Sequence, residues 1–228
     1  MILFFAFFGL CIGHVLNLVI DKQLSSSGRS PIYQPSGLLG RVPLVGTVQS
    51  RTWIALAVEV LSAIMAVLLF SRDGINAQTL TLFAASLVLI DTGAIDFKIR
   101  MIDTMVLVVA MLVALLLAPV TQIGWLQSAL GLVVAGMLFL FLFVLAKILF
   151  PGVKAPFGLG DVYLAAFIGA VVGFEDLAPA LLYGIVMAGL VSLVLIVLRS
   201  IGWKVPTYIA YGTYLCLGAL LFIGTSYP

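Results

Sequence analysis

Two aspartates occur in sequence contexts that could support catalysis. Asp96 ends an apolar run and is followed by basic residues at the second and fourth positions after it, Lys98 and Arg100. Asp161 comes directly after Gly158-Leu159-Gly160 and opens another apolar run. A carboxylate at membrane depth is costly unless it is protonated, paired or hydrated. Both acids are therefore candidates for a function.

Two carboxylates that converge on one point are the groups that an aspartic peptidase needs. Close together they share one proton, because two like charges cannot both ionise cheaply. The ionised carboxylate can take a proton from water while the other donates to the carbonyl oxygen of the scissile bond. A structural pair of acids, or a proton relay in a transporter, would also place two acids in the membrane.

The elements around these acids are predicted to be helix ends. Gly158 and Gly160 allow a tight turn and the close approach of another segment, and Asp161 would then lie at a helix start, where the dipole favours negative charge. Asp91 precedes Asp96 by five residues and on a helix points about 140° away from it. We therefore expect Asp91 to be structural or supporting, with Glu59 in another span as a possible partner.

The composition predicts a membrane protein. The hydrophobic fraction is 64% and the charged fraction 9%, against about 25% charged residues in a typical soluble domain. Apolar runs of about 20 residues match the bilayer core. We predict an all-α polytopic protein, one membrane domain over residues 1–228, with about eight spans near 2–20, 53–70, 80–95, 104–120, 126–150, 162–174, 177–198 and 207–224. The sixth is short, so it would be tilted or follow a re-entrant segment.

The basic residues indicate the orientation of these spans. If the N-terminus faces outward, ten of the eleven Lys and Arg residues fall in cytoplasmic connections, and only Arg72 lies outside. The positive-inside rule predicts that asymmetry. Both termini are therefore expected outside the cytoplasm, and both Asp96 and Asp161 on the cytoplasmic side. A net charge of +2 without a basic cluster gives no indication of nucleic-acid binding.

Three cytoplasmic segments matter for function. Residues 21–52 form a Ser-, Gly- and Pro-rich loop between spans 1 and 2, and residues 96–103 and 151–161 are the expected active-site segments. The chain has no C-x-x-C pair, which excludes a cysteine-ligated zinc site. His14 is the only histidine. It has no neighbouring ligands, so we expect a packed or hydrogen-bonded side chain and no metal site.

The motifs around the two acids resemble those of the bacterial type IV prepilin leader peptidases, a family of G-x-G-D aspartic peptidases. Residues 96–104, D-F-K-I-R-M-I-D-T, follow the family's D-x-K-x-R-x-I-P-N except at the last two positions. Residues 158–161 read G-L-G-D. The resemblance implies that Asp96 and Asp161 are the catalytic pair, supported by Gly158 and Gly160 with Lys98 and Arg100.

The resemblance extends to both ends of the chain. Residues 9–20, G-L-C-I-G-H-V-L-N-L-V-I, are similar to the family's opening G-L-x-x-G-S-F-L-N-V-V-I. Glu59 corresponds to the Glu of Y-P-x-x-E. Residues 211–218, Y-G-T-Y-L-C-L-G, are similar to the closing F-G-P-Y-L-A-L-G. Together with the two motifs around the acids, these matches follow one order along nearly the whole chain.

Two departures from the family pattern bear on function. Asp103-Thr104 replaces the Pro-Asn of the first motif. Asp103 would return to the face of Asp96 if one helix ran through both, and would otherwise be an exposed loop acid, which we favour. The loop 21–52 lacks the two C-x-x-C pairs of bifunctional members. Those members methylate the new N-terminus with S-adenosylmethionine, a cofactor expected here only if that activity is retained.

The resemblance implies a peptidase of the bacterial inner membrane that acts at the cytoplasmic face. Its substrates would be type IV prepilins or pseudopilins, cleaved after a Gly between a short basic leader and a hydrophobic helix. Proteolysis would need no cofactor. The alternatives are another G-x-G-D intramembrane protease or a proton-coupled transporter. The sequence predicts neither the oligomeric state nor the particular prepilin.

Overall fold

A computed structural model describes residues 1–26, 28–33, 42–44, 47–48, 52–149, 158–203 and 209–225. Within these residues the chain forms eight α-helices of 14 residues or more and no β-strand. They are α1 (Ile2–Ser26), α2 (Trp53–Asp73), α3 (Ala77–Ile99), α4 (Thr104–Leu117), α5 (Gly124–Leu149), α6 (Leu159–Val172), α7 (Leu177–Ser200) and α8 (Tyr211–Thr225). The apolar runs fold as helices because a helix satisfies every backbone polar group within one segment. The prediction of an all-α protein is confirmed.

Five helices, α1, α2, α3, α5 and α7, are long and apolar enough to cross a bilayer. The shorter apolar segments are α4 with its 3₁₀ extension Ala118–Val120, α6 and α8. The chain is thus a multi-pass membrane protein. That all eight helices cross, and that both termini lie outside, stay predictions.

The helices form two compact units, Met1–Ile95 and Asp96–Pro228, and the boundary falls inside α3. The one membrane domain expected over residues 1–228 stays a prediction. In the first unit α1 packs along α2. Asn17 of α1 donates a hydrogen bond to the Ala55 carbonyl of α2 at 3.0 Å, the cross-helix role expected of a polar side chain in a membrane.

In the second unit α6 is the central helix, in contact with α4, α5, α7 and α8. It has only 14 residues, which is about 21 Å of helix. Its residues from Leu164 to Val172 are all buried, and a helix that is apolar all round belongs inside a bundle. The short sixth apolar run is therefore an enclosed helix that carries Asp161 at its first turn. The segment before it, residues 150–157, lies outside the described residues, so the re-entrant alternative is untested.

The contact between α5 and α6 depends on a pair of glycines. A methyl group at Gly169 would overlap the backbone carbonyl of Gly131, and one at Gly131 would overlap the Gly169 carbonyl. The Ser128 hydroxyl donates to the Ala170 carbonyl at 2.7 Å beside this crossing. The two backbones therefore touch without room for a side chain.

We expect Gly169→Ala to separate α5 from α6 and to lower the free energy of unfolding by about 1–3 kcal/mol, the usual range for overpacking. Thermal unfolding in detergent measures this change. Gly136→Ala is the matched control on α5, because its methyl group would meet Ala166 at 3.4 Å, an ordinary contact. Equal melting temperatures for the two variants would contradict the assigned crossing.

Candidate active site

Asp96 lies in the last turn of α3 and is 5% exposed. The helix ends just after it, where the Arg100 N–H donates to the Asp96 carbonyl at 2.7 Å. Arg100 has a φ of 54°, a left-handed conformation that commonly terminates helices. The chain therefore turns away directly after the motif D-F-K-I-R, and the carboxylate remains buried at the helix end.

Asp161 lies in the first turn of α6 and is 7% exposed. Its Oδ2 accepts a hydrogen bond from the Gly158 N–H at 2.9 Å. This contact is one half of a capping box, in which an acid in the first turn reaches back to the N-cap residue. The segment G-L-G-D thus fixes the carboxylate to the backbone of its own turn.

The start of α8 brings the two carboxylates together. A methyl group at Gly212 would lie 2.9 Å from Asp96 Oδ2 and 3.2 Å from Asp161 Oδ1. Because both distances start from the same point, Asp96 Oδ2 and Asp161 Oδ1 can be no farther apart than 2.9 Å and 3.2 Å added together. The next residue, Thr213, donates to Asp96 Oδ2 from its backbone N–H at 2.8 Å and from its hydroxyl at 3.1 Å.

Ile102 packs beside this pair. A methyl group at Gly160 would lie 2.8 Å from the Ile102 Cβ, and one at Gly212 would lie 2.9 Å from the Ile102 Cδ1. Ile102 thus fills the space next to both Gly160 and Gly212. Three segments that are distant in the sequence enclose one site.

This arrangement can carry out acid–base chemistry on a bound water. Each carboxylate has one oxygen, Oδ2, held by hydrogen-bond donors of the protein. Its second oxygen is not fixed by those donors and is available for proton transfer. Two buried carboxyl groups that face one point are expected to hold one proton between them, because two like charges there cannot both ionise cheaply.

The charged residues that follow Asp96 in the first motif differ in their exposure. Lys98 is partly exposed and Arg100 is exposed at the end of α3. Asp103 is exposed, and its Oδ1 accepts from the Met105 N–H at 3.0 Å as the N-cap of α4. No single helix runs from Asp96 to Asp103, so of the two alternatives for Asp103 the exposed acid is the one observed.

The fold and the site define a class, the multi-pass helical membrane proteins with two buried carboxylates at one point. Residues 81–193 match the family model of the type IV leader peptidase family. The chain belongs to that family, which confirms the resemblance of its motifs and assigns a leader-peptidase type of protease activity. No curated protein and no solved structure matches the chain.

A second polar cluster lies in the first unit. Glu59 of α2 is fully buried, and its Oε1 is 2.8 Å from His14 Nδ1 of α1. Its Oε2 accepts from the Leu44 N–H at 2.8 Å and from the Thr47 hydroxyl at 3.0 Å. The expectation that His14 is a packed or hydrogen-bonded side chain is confirmed. Both oxygens of Glu59 are engaged by these groups, so the suggested pairing with Asp91 is not needed to explain its burial.

This cluster attaches the described parts of the loop 21–52 to the helices. Leu44 and Thr47 belong to the loop 21–52, which also includes Tyr33, whose N–H donates to Asp21 of α1 at 3.0 Å. The His14 ring meets the Tyr33 ring edge to face, with the ring centres 5.3 Å apart. Much of the loop lies outside the described residues, but these contacts fix its described parts to α1 and α2.

We expect Glu59→Gln to lower the free energy of unfolding by about 1–3 kcal/mol, because a carboxamide accepts on one side only and would leave a buried donor without a partner. Thermal unfolding in detergent measures the loss. Glu175→Gln is the matched control, since Glu175 is exposed and accepts one hydrogen bond, from Gln127 at 2.7 Å, which glutamine can also accept. Equal unfolding temperatures for the two variants would show that the cluster does not stabilise the loop.

Proposed function

We propose that this chain is an aspartic endopeptidase that removes the leader peptide from type IV prepilins or pseudopilins. Asp96 and Asp161 are its catalytic residues. The observation that carries the proposal is the position of Gly212, from which both carboxylates would be within 3.2 Å of one added methyl group. The match to the type IV leader peptidase family supports this choice of substrate class.

The proposed reaction is a hydrolysis by a general base and a general acid. The ionised carboxylate takes a proton from water as the water oxygen attacks the scissile carbonyl carbon, and the protonated carboxyl donates its proton to the carbonyl oxygen. The tetrahedral intermediate then breaks the C–N bond, and the leaving amine takes a proton from the pair. The new carboxyl remains on the leader and the new amine on the pilin. No metal ion or organic cofactor takes part in these steps.

The membrane setting fits the substrate class. A prepilin has a short basic leader followed by a hydrophobic helix, so the helix can lie in the bilayer while the leader stays in water. Asp96 at the end of α3 and Asp161 at the start of α6 suit a bond at that junction. We place the site at the cytoplasmic face of a bacterial inner membrane, because the basic residues of the chain fall on the side that carries both acids.

Methylation of the new N-terminus is not part of the proposal. Residues 21–52 contain no cysteine and cannot form the paired C-x-x-C sites of bifunctional relatives. S-adenosylmethionine would be a cofactor only if the chain also methylates its product, and a methyl group on the pilin would reveal that activity.

Co-reconstitution of the purified chain with a prepilin in vesicles tests the proposal. We expect one cleavage, after the glycine at the leader junction, and a pilin product of unmethylated mass when S-adenosylmethionine is present. A cut within the hydrophobic helix would indicate another kind of G-x-G-D intramembrane protease. An intact prepilin together with proton flux through the vesicles would support the transporter and overturn the proposal.

A further inference from the structure

Thr213 makes two hydrogen bonds to one oxygen of Asp96. It is the third residue of α8, so its N–H belongs to the first turn, where backbone donors have no partner within the helix. That N–H and the Thr213 hydroxyl both donate to Asp96 Oδ2, at 2.8 Å and 3.1 Å. Thr213 is 8% exposed and Asp96 is 5% exposed, so water competes little for either contact.

These contacts constrain where the proton of the carboxyl pair resides. An oxygen that accepts from two donors is poorly placed to carry a proton of its own. Among the described residues, Asp96 Oδ2 accepts from two donors, whereas Asp161 Oδ2 accepts from one, the Gly158 N–H. Hydrogen bonds to a charged carboxylate favour that charged form. The donors that the described residues provide are therefore distributed unequally, with more of them on Asp96.

The threonine is a feature of this chain's own sequence. In the closing motif that residues 211–218 resemble, F-G-P-Y-L-A-L-G, a proline stands where this chain has Thr213. Proline has no N–H and no hydroxyl, so it could make neither contact. Thr213 provides two donors at a position where the motif provides none.

We propose that Thr213 is a positioning residue that fixes the Asp96 carboxylate and assigns it the role of the ionised base, leaving Asp161 as the proton-carrying acid. This inference rests on the proposed function, since it distributes the two roles of that reaction. Thr213 itself does not exchange a proton with the substrate. It acts by holding Asp96 Oδ2 as an acceptor, so that the rest of the carboxylate faces the water.

Three substitutions of Thr213 distinguish the contribution of its hydroxyl from that of its backbone N–H. Thr213→Val keeps the shape and the N–H but removes the hydroxyl. Thr213→Pro removes both donors, and a proline is tolerated in the first turn of a helix. Thr213→Ser retains both. Thr225→Val is the control, because Thr225 is an exposed residue of α8 whose hydroxyl donates to the Leu221 carbonyl of its own helix.

Cleavage of a co-reconstituted prepilin is measured as kcat and KM over a range of pH. We expect Thr213→Val to lower kcat by about 10-fold with little change in KM, since a hydrogen bond to a charged group is lost. The acidic limb of its rate profile should move to higher pH, because the ionised form of Asp96 has lost a donor. Thr213→Pro should show a larger loss of kcat, and Thr213→Ser should restore most of the rate lost in Thr213→Val.

A Thr213→Val variant with the kcat and the pH profile of Thr225→Val would overturn this inference while leaving the peptidase assignment intact. So would a Thr213→Ser variant as impaired as Thr213→Val. A wild-type chain that does not cleave prepilin would instead overturn the proposed function itself. If Thr213→Pro does not fold, the comparison of valine with serine still decides the role of the hydroxyl.

Discussion

Asp96→Asn and Asp161→Asn are each expected to abolish prepilin cleavage, with kcat lower by a factor on the order of 10⁴ or more. Asparagine keeps the shape of aspartate but can neither accept the proton of the attacking water nor donate one to the scissile carbonyl. The two groups act as a unit, so the double variant should be no slower than either single variant. Initial rates in vesicles, with equal amounts of folded protein, measure these losses.

Asp103→Asn is the matched control for this experiment. Asp103 is an exposed acid that caps α4 through the Met105 N–H, and asparagine caps a helix as well as aspartate does. We expect this variant to cleave at close to the wild-type rate. An Asp161→Asn variant that cleaved as fast as Asp103→Asn would remove Asp161 from the catalytic pair.

Gly212→Ala is expected to lower kcat by about 100-fold, although it adds only one methyl group. That group would lie 2.9 Å from Asp96 Oδ2 and 3.2 Å from Asp161 Oδ1, closer than a carbon and an oxygen normally approach. The carboxylates would have to move apart or rotate, and a displacement of about 1 Å at a reacting group can cost about 100-fold in rate. Rates of prepilin cleavage and thermal unfolding are measured on the same preparation.

Gly189→Ala provides the comparison for Gly212→Ala. Both glycines lie in apolar helices of the second unit, but a methyl group at Gly189 would meet no atom within 4 Å. We expect wild-type activity and unchanged or slightly higher stability, since alanine favours a helix more than glycine does. If Gly212→Ala retained the activity of Gly189→Ala, the two carboxylates could not face Gly212 as described.

The order of helices could be predicted from the sequence because each apolar run satisfies its own backbone. All eight predicted spans coincide with helices, and the acids lie at the helix ends where the sequence placed them. The short length of α6 could also be predicted from the sequence, but its position within the bundle could not. Whether a short apolar helix is tilted in lipid or enclosed by neighbours depends on the other helices, which its own residues do not specify.

The contacts that complete the site are not local in the sequence. Thr213 and Asp96 are 117 residues apart, and no periodicity relates them. The resemblance of residues 211–218 to a family motif was the available signal, but it did not indicate which of these residues faces an acid. The role of Gly212 likewise depends on the distance between two other segments, which the three-dimensional structure supplies.

The contacts of the polar cluster in the first unit could likewise not be predicted from the sequence. His14 and Glu59 were both recognised as polar residues within apolar spans, and a packed or hydrogen-bonded His14 was predicted. Their mutual contact was not, because each had several possible partners on other helices. Asp103 was predicted only as an exposed loop acid. Its position directly before an apolar run was a signal for the N-cap role, which is common for an acid there.

The most direct test is hydrolysis of a prepilin in heavy-oxygen water by vesicles that contain only this chain and its substrate. Vesicles with Asp161→Asn, prepared in the same way, are measured beside them. We expect a leader fragment that ends in the junction glycine and carries one heavy oxygen in its new carboxyl group, and we expect only the wild type to form it. An intact prepilin in the wild-type vesicles, or the same fragment at the same rate in both, would contradict it.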